Sequence, residues 1–175
     1  MNNLLFGCFL IKANLMKEII LQSKVKVCSY EELSAEDRKL VDAARKATAN
    51  SYAVYSGFNV GAAVRLCDGT MVCGTNQENA AYPSGLCAER TTIFWANSQY
   101  PDKAVKALAI AACTKEGELA KPITPCGACR QVILETEKRF NTPIRIILYG
   151  TEECYIIEDG IKPLLPLCFD SEVLE

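Results

Sequence analysis

Two short stretches hold the residue types that could do chemistry together. "PSGLCAERTTIFWA", residues 83–96, sets Cys87 and Glu89 two positions apart at what reads as the mouth of a helix, and "PCGACRQVILETEKRF", residues 125–140, sets Cys126 and Cys129 one turn apart at the mouth of another. Residues three apart on a helix are neighbours, and the free N–H groups and positive dipole end of a helix N-terminus favour thiolates. Where the two mouths meet, three thiols converge. A catalytic zinc takes three protein ligands and leaves its fourth tetrahedral position to water or substrate, so Cys87, Cys126 and Cys129 supply that count. A carboxylate two residues after a ligand can move protons at the open position without being a ligand, which points to Glu89 as general acid and base. The chain has no histidine, which excludes a histidine ligand and any triad with a histidine base.

Bringing the mouths together requires a scaffold, and the pattern of the chain supplies one. At 175 residues and 50% hydrophobic, the length suits a single domain with a sizeable core. "IILQSKVKVC", residues 19–28, partly alternates and reads as a strand. Ser34 followed by Asp37 has capping-box spacing, and Leu40, Ala43, Ala44 and Ala47 then share one helical face. Two apolar runs around Asp68-Gly69 predict a hairpin. A loop, "QENAAYPSG", leads to a helix from about Leu86 to Asn97; "VKALAIAAC" and "IRIILYG" read as buried strands on either side of the helix opened by Pro125. The fold class is α/β, a mixed sheet with helices packed on its faces. The domain is expected to span 16–175, beginning at "MKEIILQSK", with residues 1–15 a disordered extension or a misassigned start.

Composition narrows the partners. Lys and Arg total 19 against 21 Asp and Glu, a formal charge of -2, and no basic run offers the footprint a polynucleotide requires. A small molecule is the expected partner. The apolar patch from Leu4 to Ile11 is too short to span a bilayer and lacks the flanks of a secretory signal, so no membrane is expected and the location is cytoplasmic. There the ten cysteines stay reduced and most serve as small core hydrophobes. Cys126 and Cys129 form the only Cys-x-x-Cys in the chain.

"CAE" followed by "PCGAC" matches the pattern of the zinc nucleobase deaminases. With "YSGFNVGAAV", "NQENAAYPSGLCAERTTIF", "PCGACRQV" and "LLPLCF", the chain resembles the small homotetrameric cytidine deaminases of pyrimidine salvage from about Ser34 to Phe169. The resemblance implies a three-layer sandwich with a mixed five-stranded sheet and helices on both faces. It implies one Zn2+ per chain on the three cysteines, and hydrolytic deamination of cytidine and 2'-deoxycytidine with release of ammonia. It implies further that Phe58 stacks near the pyrimidine, that Asn76 and Glu78 hold sugar hydroxyls, and that the Ala88 carbonyl accepts from the base. Tyr82 is implied to lie by a subunit boundary, Arg90 to pair with the ligand sulfurs, and Phe169 to reach the active site of a neighbouring subunit in a homotetramer with shared sites. Val54 stands where the family has proline in "YAPYSG", and Trp95 where a small or polar residue is common.

Several of these residues have plainer readings. Phe58 at a strand start is by default core, Glu78 a solvated loop residue, and the run Leu164, Leu165, Leu167, Cys168, Phe169 a tail packed on its own domain. Arg90 has an independent rationale: three thiolates leave a zinc site at net -1, and an adjacent guanidinium counters the loss of Lewis acidity. Three other readings stay open. A related deaminase acting on a cytosine-containing antibiotic would keep both motifs, although Asn76 and Glu78 argue for a ribose. A structural zinc module needs a fourth ligand, for which Cys73 is a distant candidate. A thiol redox protein using "CGAC" leaves "CAER" without a task.

Overall fold

The computed structural model describes residues 16–174 of the chain; the expectation for residues 1–15, and Cys8 with it, lies outside them. Seven strands form one sheet: β1 (Lys26–Cys28), β2 (Asn59–Leu66), β3 (Met71–Thr75), β4 (Val105–Thr114), β5 (Gly117–Glu118), β6 (Arg145–Tyr149) and β7 (Cys154–Ile157). Among the described residues three α-helices accompany them: α1 (Ala35–Ala47), α2 (Ala88–Gln99) and α3 (Gly127–Phe140). The strand order is β1-β7-β6-β4-β2-β3, with β5 paired to the end of β4. Among the described strands only β4 and β6 run parallel, and α3 makes the crossover between them, as a parallel connection requires.

Alternation along the strands divides the interior into two layers. Val60, Ala62, Val64 and Leu66 of β2, with Leu108 and Ile110 of β4 and Ile146 and Leu148 of β6, point to the face covered by α2 and α3. Ala63, Ala107, Ala109, Ala111 and Ile147 point to the other, where Leu40, Val41 and Ala44 of α1 cover them. The sandwich is therefore three-layered, helix on sheet on helices. Small side chains on the α1 face let that helix approach closely.

Two glycines mark where the approach is tightest. A Cβ on Gly61 would fall on the Ala44 carbonyl oxygen of α1 and 2.8 Å from the Thr48 nitrogen, and one on Gly74 would lie 2.6 Å from the Thr92 hydroxyl of α2. The second contact seats the helix that carries Cys87 directly on the β3 backbone.

The hairpin turns at Asp68-Gly69 as its sequence predicts, with Gly69 at φ +87° and the Leu66 N–H donating to the Thr70 carbonyl at 2.8 Å. Ser34 caps α1, accepting from the Asp37 N–H at 3.1 Å. The capping box is not completed by the Asp37 carboxylate, which pairs instead with Arg145 at 3.0 Å. Differences from expectation lie in short strands. The sheet has seven strands rather than five, because β5 and β7 are two and four residues long and carry too few side chains to register a period. The strand expected over 19–28 is limited to Lys26–Cys28, since β7 offers partners only to those three residues; Ile19, Ile20 and Leu21 lie exposed beyond its reach.

Gly61→Ala tests the packing of α1. Shortening the unfolded chain's freedom stabilises by about 0.4–1 kcal/mol, but overpacking costs roughly 1–3 kcal/mol, so overpacking wins. The net cost, up to about 2.6 kcal/mol, is expected to lower the thermal midpoint by several degrees, up to roughly 10 °C, measured by circular dichroism; an unchanged or higher midpoint would show that α1 can move off the strand freely.

Candidate functional site

Two helix mouths and one loop build the site. Cys87 and Cys126 are the residues immediately before α2 and α3, each with extended backbone (φ -71°, ψ 154° and φ -67°, ψ 167°), and neither side chain caps its helix. A thiol is a weak acceptor, so the leading N–H groups keep their positive end of the dipole uncapped. The sulfurs meet each other instead. Cys87 Sγ lies 3.7 Å from Cys126 Sγ, and Cys126 Sγ lies 3.5 Å from Cys129 Sγ. All three fall within 4.8 Å of one another, the one such group of metal-capable side chains among the described residues. Tetrahedral zinc with Zn–S of about 2.3 Å sets its sulfurs roughly 3.8 Å apart, so the donor set and its spacing fit that ion and leave a fourth position free of protein. Cys73, the distant candidate for a fourth ligand, is not part of the group, and a redox pair of Cys126 and Cys129 would have a third thiol in contact with it.

The electrostatics follow from burial and from one guanidinium. Arg90 Nη2 donates to Cys87 Sγ at 3.6 Å, while its Nε is buried without a partner. The hydrogen bond from Cys129, and after it Arg90, hold the Cys87 thiol down to about 5 against the opposing effect of burial. Cys129, as the donor to Cys87 and buried, is pushed up. Glu89 is only 5% exposed. Burial pushes its carboxyl up, the Cys87 charge adds to that, and its own backbone N–H and Cys129 oppose it.

The loop before α2 is stitched down by backbone pairs. The Gln77 N–H donates to the Leu86 carbonyl and the Leu86 N–H donates to the Gln77 carbonyl, both at 2.9 Å, and the Glu78 N–H donates to the Tyr52 carbonyl at 2.8 Å. Asn76 is committed to the start of β2: its Oδ1 accepts from the Val60 N–H and its Nδ2 donates to the Phe58 carbonyl, each at 2.8 Å. Glu78 accepts from the Tyr55 N–H at 2.8 Å and from the Ser56 N–H and hydroxyl, and these bonds, the hydroxyl first, hold its carboxyl below the usual range. It is a clamp on the 55–56 turn rather than a solvated loop residue.

A cavity of about 320 Å3 opens between these parts, and Phe58, Asn76, Glu78, Cys87, Ala88, Glu89 and Cys126 all line it. A second, of about 280 Å3, shares Asn76, Glu78 and Cys87 with the first and adds Tyr82 and Arg90. Residues expected from distant parts of the sequence are thus brought to one place. Ser56, Ile123 and Thr124 line the first cavity as well; only their adjacency to Phe58 and Cys126 could have pointed to them. A larger cavity of about 610 Å3, between residues 21–23 and the C-terminal segment, contains none of the three thiols and not Glu89.

Three expected roles meet particular geometry. The Ala88 carbonyl already accepts from the Thr92 hydroxyl at 2.7 Å and lies inside the helix; the group left free at that position is its N–H. Phe169 does not line the cavity of its own chain: it is 63% exposed, while Leu164, Leu165 and Cys168 pack on the core. Tyr82 is exposed and meets Tyr55 edge to face with centroids 6.0 Å apart. Val54 and Trp95, the departures in sequence, are exposed and line neither cavity.

The chain is similar to known proteins in sequence and in structure. Residues 34–142 match the family described as cytidine and deoxycytidylate deaminase zinc-binding region. A cytidine deaminase of Sporosarcina psychrophila is 50% identical over 136 residues, 78% of this chain and 93% of that protein. One from Halalkalibacterium halodurans is 40% identical over 134 residues, 76% of this chain and 93% of its own. Among solved structures, a cytidine deaminase from Burkholderia pseudomallei superposes with a TM-score of 0.64 at 36% identity, covering 75% of this chain and 97% of that one.

Single replacement of Cys87, Cys126 or Cys129 by alanine is expected to release zinc, lowering affinity by more than the roughly 10–100-fold that loss of an outer-shell partner costs. Cys28→Ala and Cys113→Ala should keep the metal. Metal analysis of the purified variants decides it, and stoichiometric zinc in Cys126→Ala would remove that residue from the set.

Proposed function

Because the chain belongs to the cytidine and deoxycytidylate deaminase zinc-binding family, we propose that it hydrolyses cytidine and 2'-deoxycytidine to uridine and 2'-deoxyuridine with release of ammonia, as a step of pyrimidine salvage. The observation that carries this reading is the cluster of Cys87, Cys126 and Cys129 at the wall of a cavity that Glu89 and Phe58 also line. The three thiols hold one zinc per chain. When bound, the ion supplies Lewis acidity that makes a water nucleophilic at neutral pH.

Everything else falls to the chain's own side chains. Glu89 takes the proton of the attacking water and gives it to N3 of the cytosine ring, so that the C4–N3 double bond can accept the nucleophile. It then passes the second proton to the amine; the C4–N bond breaks, a carbonyl replaces it, and one water is consumed for one ammonia released. Arg90 offsets the thiolate charge through its bond to Cys87. Phe58 stacks on the pyrimidine. The Ala88 N–H, free at the helix mouth, donates to the carbonyl edge of the base, in place of the carbonyl contact that the resemblance implied. Asn76 and Glu78 reach the sugar hydroxyls with capacity left over from their bonds to the 55–60 segment: an amide has two donors, and a carboxylate about four acceptor sites.

Assembly completes the site. The apolar side chains of Leu167 and Phe169, 82% and 63% exposed, and of Phe94 and Trp95 on the outer face of α2 are covered in a homotetramer with shared sites, where Phe169 closes the cavity of a neighbour and Tyr82 lies at the boundary. Three ligand thiols require a reducing compartment, and we place the protein in the cytoplasm. No described helix is long and apolar enough to cross a membrane.

Glu89→Gln keeps size and hydrogen-bonding capacity but cannot cycle a proton. Ultraviolet absorbance of cytidine, deoxycytidine and cytosine is expected to fall for the two nucleosides with the unaltered protein, and at least about a hundredfold more slowly with the variant. No change with either nucleoside would sink the proposal, and a near-normal rate in the variant would remove Glu89 from it.

Phe169→Ala leaves the backbone carbonyl that accepts from Gln131 and trims only the exposed ring. Losing a buried aromatic contact worth about 1.5–3 kcal/mol should cost roughly tenfold to a hundredfold in kcat/KM and weaken the tetramer seen by light scattering. An unchanged rate and mass would mean that the ring closes no site.

A further inference from the structure

Arg130 follows Cys129 in α3 and faces neither thiol nor cavity. Its three nitrogens go to three places: Nε to the Pro125 carbonyl at 2.8 Å, Nη2 to the Thr124 hydroxyl at 3.2 Å and Nη1 to the Leu164 carbonyl at 2.6 Å. The first two partners are the residues that lead into Cys126, and Thr124 lines the cavity beside it. The third begins the C-terminal segment, five positions before Phe169.

The rest of that segment is tied to the same helix by separate bonds. Gln131 donates to the Phe169 carbonyl at 2.8 Å, and Lys138 pairs with Asp170 at 3.3 Å and with Glu172. Neither Gln131 nor Lys138 touches the 124–126 turn in these bonds. Among the three anchors, Arg130 alone spans the cysteine-bearing mouth and the tail. The guanidinium that acts on the Cys87 thiol is that of Arg90; Arg130 spends its donors on carbonyls and a hydroxyl. A planar fork with fixed donor directions sets relative positions more sharply than a flexible ammonium.

We propose that Arg130 is a positioning residue that joins the Thr124–Cys126 mouth to the C-terminal segment, so that the turn presenting Cys126 and the segment carrying Phe169 hold their places together. The inference rests on the reading of Cys126 as a metal ligand and Phe169 as a closing residue, and adds that the two are mechanically coupled. A tail docked on a neighbour then also steadies the ligand turn of its own chain.

The test compares hydrogen exchange and zinc affinity in the full-length protein as purified, for the unaltered chain, Arg130→Met, Arg130→Lys and Gln131→Ala. In Arg130→Met, peptides covering residues 123–129 and 160–167 are expected to exchange about tenfold faster while β4 and β6 are unchanged. Zinc affinity should fall about 10–100-fold, the usual consequence of losing a partner that orients a ligand. Gln131→Ala should loosen only the Phe169 end and leave zinc affinity as it was. Protection unchanged in either of the two segments of Arg130→Met overturns the coupling. Should that variant fail to fold, Arg130→Lys decides: a single ammonium cannot span three acceptors, so both segments should loosen to a lesser degree, and full protection in both overturns the proposal. An unaltered protein that holds no zinc overturns the metal reading of Cys126 instead, and the exchange pattern still judges Arg130.

Discussion

Two helices that begin at one point set the terms for the rest of this structure. Each N-terminus carries unpaired N–H groups and a partial positive charge, and side by side they repel unless something negative sits between them. The residues placed there are Cys87 and Cys126, which leave the helices uncapped and put sulfur where a Ser or Asp would have put oxygen. With Cys129 they form a cluster that holds negative charge readily, and Arg90 balances it from the side. A metal bound at such a point would tie the two mouths together, in addition to the packing of α2 on α3 and the hydrogen bond from Asn97 to the Thr136 hydroxyl at 3.5 Å, and would contribute to folding as well as to chemistry.

The sheet explains why the mouths coincide. α2 enters and α3 leaves on the same side of β4, and both pack on the face formed by Val60, Ala62, Leu108 and Ile110. Gly74 lets α2 sit directly against β3. α1, on the opposite face, meets a carpet of alanines and Gly61, so one side of the sheet is closed off and the other is left to build the site.

Around the thiols, the polar side chains serve twice. Asn76 and Glu78 hold the backbone from Tyr55 to Val60 in place, and that backbone carries Phe58 to the cavity wall. Side chains whose hydrogen bonds are already made are pre-positioned, and any ligand they contact meets groups that need no reordering. The cavity is assembled by residues whose first task is to fix each other, and whose remaining lone pairs and N–H groups are left to face it.

The types and spacings of residues in the chain were enough to point to a chemistry and to the family. Cys87 and Glu89, the Cys126–Cys129 pair and the absence of histidine point to a three-thiol zinc site with a carboxylate base, because ligand identity and helical spacing are local properties. The long strands, the three helices, the Ser34 cap and the Asp68-Gly69 turn were legible for the same reason: period and turn chemistry are written in adjacent residues. Tertiary structure alone decided what depends on neighbours far apart in the chain. Asp37 turned from its cap to Arg145, a half-buried residue far along the chain whose guanidinium the sheet brings within 3.0 Å of it. β1 was limited to Lys26–Cys28, the three residues that pair with Cys154, Tyr155 and Ile156 of β7. Glu78 became a clamp because Tyr55 and Ser56 come to it, and the Ala88 carbonyl was taken by Thr92. Phe169 was left exposed, while Leu164, Leu165 and Cys168 of the same segment pack against the core. A motif states which atoms can react; which hydrogen bonds and contacts remain free for a ligand is settled only after the fold has used the rest.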